Sequence, residues 1–124
     1  MSLADYFENT KGVGVLGTAD AKGQVDLAMY ARPHFVDETH VAFIMNERLS
    51  YENLKSNPNA AYLFIEEREG YAGKRIYLSK VKETDDKELI DSLRRSAHGG
   101  HSVEPGEKHL VYFSIVRIRP LVGG

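Results

Sequence analysis

The densest group of chemistry-bearing side chains is Met45-Asn46-Glu47-Arg48-Leu49-Ser50-Tyr51-Glu52-Asn53-Leu54, where a guanidinium, a hydroxyl and an amide follow one another closely. The segment comes after a hydrophobic run and opens a helix. Backbone N–H groups in the first turn of a helix attract anions; Arg48 adds a bidentate donor, and Ser50 and Asn53 can donate hydrogen bonds to phosphate oxygens. A plainer reading stands beside this one, with Ser50 as an N-cap, Asn53 on the helix surface and Arg48 solvated.

Other clusters say less. His98-Gly99-Gly100-His101 together with His109 invites a metal or haem ligand set, yet no pair has the helical i, i+4 spacing and no cysteine assists. A solvated loop is the expectation there, with no metal. Serine hydrolase chemistry lacks its G-x-S-x-G turn. The run Glu66-Glu67-Arg68-Glu69 reads as a solvated hairpin tip. No residue is assigned a catalytic role.

The elements that must position these groups follow from periodicity. Leu3, Tyr6 and Phe7 suit a short helix over Ser2 to Asn9, a lid for one end of a barrel. Val13 to Ala19 is a strand, Asp20-Ala21-Lys22-Gly23 a tight turn, and Val25, Leu27, Met29 and Ala31 alternate with Asp26, Ala28, Tyr30 and Arg32 in a half-buried strand. His40 to Met45 is a third strand. A helix capped by Ser50, with Leu49 and Leu54 as a hydrophobic staple, ends at Asn57-Pro58. Ala60 to Glu66 and Lys74 to Glu83 are further strands, and Thr84 caps a helix that Gly99-Gly100 ends. Gly99 to Gly106 has the composition of a mobile loop, and Lys108 to Arg119 is the last strand, with Leu110, Tyr112, Ser114, Val116 and Ile118 on one face. The order is mainly β: an α+β chain whose six antiparallel strands close, or nearly close, into a barrel with short helices flanking it.

Composition bounds the function. The 124 residues, 42% hydrophobic and without cysteine, suit a single domain over 1–124 that needs no disulfide. A net charge of −2 argues against nucleic acid as a partner. The apolar stretch around Leu110 to Val116 is shorter than the ~20 residues of a spanning helix. No membrane partner is therefore expected. The start Met1-Ser2-Leu3-Ala4-Asp5 lacks a signal-peptide pattern, so the expected location is cytoplasmic.

Thr18-Ala19-Asp20-Ala21-Lys22-Gly23-Gln24-Val25, the strand Ala28-Met29-Tyr30-Ala31, the hydrophobic strand to Met45 and then Arg48-x-Ser50-x-x-Asn53-Leu54-x-x-Asn57-Pro58-x-Ala60-Ala61 resemble the N-terminal half of the pyridoxamine 5′-phosphate oxidase-like, FMN-binding split-barrel superfamily. The order of elements agrees along nearly the whole chain. The resemblance implies a six-stranded Greek-key split barrel and a flavin-dependent oxidoreductase that passes electrons or hydride through bound FMN. It maps the phosphate onto Arg48, Ser50 and Asn53, and the isoalloxazine and ribityl chain onto Ala28, Met29, Tyr30 and Ala31 and onto Met45 and Asn46. Tyr30 has two roles open, stacking near the flavin or packing in the barrel wall, and the backbone N–H groups of Tyr30 and Ala31 are preferred to their side chains as ring contacts. A homodimer with flavin sites at its interface is also implied, with Arg75, Tyr77 or Arg117 reaching the partner's flavin and a small molecule or a protein as redox partner. Ser50 stands where the family commonly has a lysine, so phosphate charge rests on Arg48. The chain ends at Pro120-Leu121-Val122-Gly123-Gly124 without the substrate-binding extension of the true pyridoxamine phosphate oxidases, and the expectation is a short member distinct from that enzyme. Alternatives remain at this level: a non-enzymatic electron carrier or sensor binding flavin or haem, a structural antiparallel barrel with no cofactor, and a related flavin or deazaflavin in place of FMN.

Overall fold

Period-two alternation makes strands the dominant element of the chain. The computed structural model describes residues 2–96 and 107–124. Its strands are β1 (Gly12–Ala19), β2 (Val25–Met29), β3 (His34–Phe35), β4 (His40–Asn46), β5 (Asn59–Glu66), β6 (Gly73–Thr84) and β7 (Lys108–Pro120). They form one antiparallel sheet in the order β2-β1-β5-β6-β7-β4-β3. Helices α1 (Leu3–Asn9), α2 (Leu49–Ser56) and α3 (Lys87–Ser96) flank it. Six strands were expected, and the seventh is the two-residue β3, which pairs His34 with Ala42 and Phe35 with Val41. Pro33 stands just before it, and proline has no N–H for a ladder, so the pairing of β3 starts only at His34. β2 itself stops at Met29, short of Arg32.

The sheet curls until its ends approach. Leu16 of β1 and Phe43 of β4, separated by several strands in the sheet order, lie in one core with Phe7, Tyr62, Phe64, Ile76, Leu78, Val111 and Phe113. Tyr30, just past β2, meets Phe43 edge to face at 5.9 Å and spans the gap between the two ends. At one end α1 supplies Phe7, whose ring lies 4.9 Å from that of Phe64. A capping box between Ser2 and Asp5 starts this helix. Between β1 and β2, Gly23 takes φ +84°, a conformation that favours glycine, and the Asp20 carboxylate accepts from the N–H groups of Lys22 and Gln24.

Two faces differ from the sequence pattern. On β7 the main core takes Val111 and Phe113, whereas Leu110 and Tyr112 pack with Ala42, Ile44, Ile90 and Leu93 beneath α3. Leu78 pairs with Ile115 but Tyr77 with Arg117, so Val116 is an extra residue. One such bulge exchanges the two faces, returning Ile118 opposite the buried Ile76. The uniform face Leu110 to Ile118 is thus broken. On β2 the alternation is present, but its apolar row points outward: Val25, Leu27 and Met29 are 80%, 72% and 67% exposed. The cap of α3 also moves. Thr84 closes β6, and Asp86 caps the helix by accepting from the N–H groups of Glu88 and Leu89 at 3.1 and 3.3 Å. The expected stop at Gly99-Gly100 and the loop to Gly106 lie outside the described residues.

Tyr62 ties this arrangement together. Its hydroxyl donates to the Tyr30 carbonyl at 3.1 Å, and a Cβ added at Gly14 would stand 1.9 Å from that hydroxyl oxygen and 2.3 Å from the ring. Gly14→Ala should therefore lower stability by about 1–3 kcal/mol, seen as a lower urea midpoint. Burial raises the Tyr62 phenol well above its ordinary pKa, and Tyr6 and Tyr51 are raised by burial and by their bonds to Glu66 and Glu83. Their neutral forms stabilise the fold fully below about pH 10, and that contribution is lost as pH rises further. Stability should fall above that pH, less steeply in Tyr62→Phe than in the unaltered chain.

Candidate functional site

The turn after β4 decides how α2 begins. The Arg48 N–H bonds back to the Asn46 carbonyl at 2.8 Å, and the Arg48 carbonyl already accepts the first helical bond, from Glu52 N–H at 3.0 Å. Arg48, not Ser50, is therefore the N-cap residue, in extended conformation and without a side-chain cap. Ser50 falls inside the first turn, buried, with its Oγ donating to Asp26 Oδ2 of β2 at 3.5 Å. Leu49 is exposed, and the expected staple onto Leu54 is not formed. First-turn N–H groups that lack a capping side chain, next to an exposed guanidinium, form a donor set suited to an anion such as phosphate. The Asp26 carboxylate opposes it, since two anions at this spacing repel.

Of the other predicted residues, several have partners in the fold. Asn53 is 5% exposed and its Nδ2 donates to Thr18 Oγ1 at 3.0 Å, which fastens α2 to β1 and turns the amide away from an anion at the first turn. Met45 has no exposed surface and belongs to the core. Asn46 accepts from Lys108 Nζ at 2.9 Å at the end of the β4–β7 ladder. Tyr30 takes its barrel-wall role, and its N–H donates to the Gly14 carbonyl at 3.0 Å, so this amide is occupied. Ala28 faces inward with Asp26, Met29 faces outward, and Ala31 is exposed beyond the strand end. Arg48, Ser50, Asp26 and β2 are brought together; Asn53 and Met45 lie beneath them.

The parity of the ladder shows what β2 offers. Because Tyr30 and Gly14 form a hydrogen-bonded pair, so do Ala28 with Leu16 and Asp26 with Thr18. Leu27 and Met29 then direct their N–H and C=O groups toward the open edge, as β2 is the last strand on its side. The outer face continues from this edge as an apolar floor over β2, β1 and β5 that gives way to arginines and Tyr77 on β6 and β7. One row runs Met29, Val15, Leu63, Arg75, Arg119 and the next Leu27, Gly17, Ala61, Tyr77, Arg117. Arg119 lies 5.9 Å over the Tyr77 ring, and Arg75 donates to the Pro120 carbonyl at 2.8 Å. Sequence reasoning missed Val15, Ala61 and Leu63 as parts of this floor. The signal for them is cross-strand register, which no single segment displays.

No protein-family model and no curated protein sequence matches the chain. Solved structures do. An FMN-binding protein from Syntrophomonas wolfei subsp. wolfei superposes with a TM-score of 0.76 at 18% identity, over 94% of this chain and 81% of that one. An F420 reductase gives 0.75 at 16%, over 93% and 94%. A Listeria innocua protein assigned as a pyridoxamine 5′-phosphate oxidase gives 0.67 at 18%, over 96% and 94%. The chain has the split-barrel fold. Within this split barrel, no helix among the described residues is long and apolar enough to cross a membrane.

Asn53→Ala should destabilise the split barrel by about 1–3 kcal/mol, because the buried Thr18 hydroxyl loses its partner. Arg48→Ala, at an exposed position, should change stability by no more than about 0.5 kcal/mol. Urea denaturation of the two variants checks the contrast.

Proposed function

We propose that this split barrel binds FMN and works as a flavin-dependent oxidoreductase. The observation that carries the reading is the uncapped first turn of α2, with Arg48, lying against the open-edged strand β2. An anionic group and a flat ring with polar edges then have adjacent places. The structural neighbours support it, since they include an FMN-binding protein and an F420 reductase. Bound FMN would supply the electron or hydride transfer. The chain's own residues bind and orient. Arg48 and the amides of the first turn hold the phosphate, and the Ser50 hydroxyl can turn from Asp26 toward it. Residues Ala28 to Ala31, with the edge groups of Leu27 and Met29, lie along the ring, while Asn46 at the end of β4 supports the ribityl side. The apolar floor excludes water.

A second copy of the chain completes the site in this reading. Val25, Leu27 and Met29 form an exposed apolar row continuous with Val15 and Leu63, the kind of surface that soluble monomers rarely leave uncovered. Covering it in a homodimer would bring Arg75, Tyr77 or Arg117 of the other copy toward the flavin. The redox partner is a small molecule or a protein, and the compartment is the cytoplasm.

The visible spectrum of the purified protein, before and after denaturation, with released cofactor identified by mass, should show flavin bands and FMN. A colourless protein that added FMN does not stabilise overturns the reading. Arg48→Ala should weaken FMN binding by about 1.5–3 kcal/mol and riboflavin binding little, because riboflavin has no phosphate. Equal losses would remove Arg48 from the phosphate. Leu27→Asp should shift the sedimenting species from dimer toward monomer.

A further inference from the structure

The β4–β7 ladder pairs Met45 with His109 and Asn46 with Lys108, which sets the start of the β4–α2 turn beside the start of β7. At this joint, ligand atoms of Glu47, Glu107 and His109 lie within 4.8 Å of one another. The His109 side chain is only 9% exposed, and its ring stacks on Tyr51 with centroids 4.2 Å apart and planes at 8°, so its orientation is set. Its Nε2 stands 3.0 Å from Glu47 Oε1, and its Nδ1 faces Glu83 Oε2 at 3.8 Å. Glu83 is held in turn by Lys80 Nζ at 2.8 Å and by the Tyr51 hydroxyl.

A neutral imidazole carries one N–H, whereas carboxylates face both of these ring nitrogens. With that N–H on Nδ1, the side that Glu83 occupies at 3.8 Å, the Nε2 lone pair is free to join the oxygens of Glu47 and Glu107 around an ion. A carboxylate behind the second ring nitrogen is the usual support of a metal-bound histidine. Neighbouring ligands on an ion with bonds of roughly 2.1 Å stand about 3.0–3.4 Å apart, which the Nε2 to Glu47 separation matches. Glu47 and Glu107 are exposed, leaving one side open for water.

We infer that Glu47, Glu107 and His109 bind one first-row divalent transition ion, with Glu83 as a positioning residue. One nitrogen and two carboxylates favour such an ion over Ca2+ or Mg2+, which take oxygen-rich shells. The ion would staple the turn that carries Arg48 to β7.

Chelator-stripped protein titrated with Zn2+ in a calorimeter tests this. One Zn2+ per chain should bind at micromolar or lower concentration. Glu47→Gln and Glu107→Gln, both at exposed positions and checked for folding by circular dichroism, should each weaken binding about ten- to a hundredfold, as should Glu83→Gln. Zn2+ should raise the Tm of the unaltered chain but raise it less in these variants. A His98→Ala/His101→Ala variant should bind as the unaltered chain does. The inference is overturned by absence of binding at micromolar Zn2+, by equal affinity in the Glu47 and Glu107 variants, by loss of binding in the His98/His101 variant, or by tighter binding of Ca2+ or Mg2+.

Discussion

The phenol of Tyr62 is the contact on which the barrel depends. It fills the space that Gly14 leaves without a Cβ, bonds the Tyr30 carbonyl and packs its ring 5.2 Å from Phe43. Those contacts join β5, β1, the end of β2 and β4. A sheet whose order places β2 and β4 near opposite ends has to curl strongly to allow them. Without them the core would lose the link between its two edges, and β2 would have no fixed course past Met29.

That closure creates the features of the candidate site. Holding Tyr30 inward commits its N–H to Gly14, which by ladder parity turns the backbone groups of Leu27 and Met29 outward. It also turns their side chains onto the outer face, where Val15, Leu63 and Ala61 extend the apolar surface. The bond from Asn53 to Thr18 then sets α2 against β1, and Ser50 against Asp26 keeps its first turn beside β2. Arg48 begins the helix for a local reason, the tight return of its N–H to Asn46.

Much of this was legible in the sequence where local rules govern. The Asp20 to Gly23 turn, the Ser2 start of α1, the helix before Asn57-Pro58 and the strands at Gly12–Ala19, His40–Asn46 and Asn59–Glu66 agree with periodicity and capping chemistry. Less legible were caps with competitors nearby: Ser50 gave way to Arg48, and Thr84 to Asp86, because a preceding strand's length decides which polar residue falls at the helix start. The bulge at Val116 was hidden for another reason. An extra residue leaves the alternation on either side intact while exchanging its meaning.

The sequence by itself determined the element types, the antiparallel character forced by short connections, and the residue types in the segment from Asn46 to Asn53, since these depend on near neighbours along the chain. Only the tertiary structure decided which face of β2 is wet, that Asn53 and Met45 lie beneath the surface, and that His109 meets Glu47 and Glu83. Those outcomes depend on register between strands far apart in sequence. A shift of one residue in that register would exchange every inward and outward side chain, so no local pattern can encode it alone.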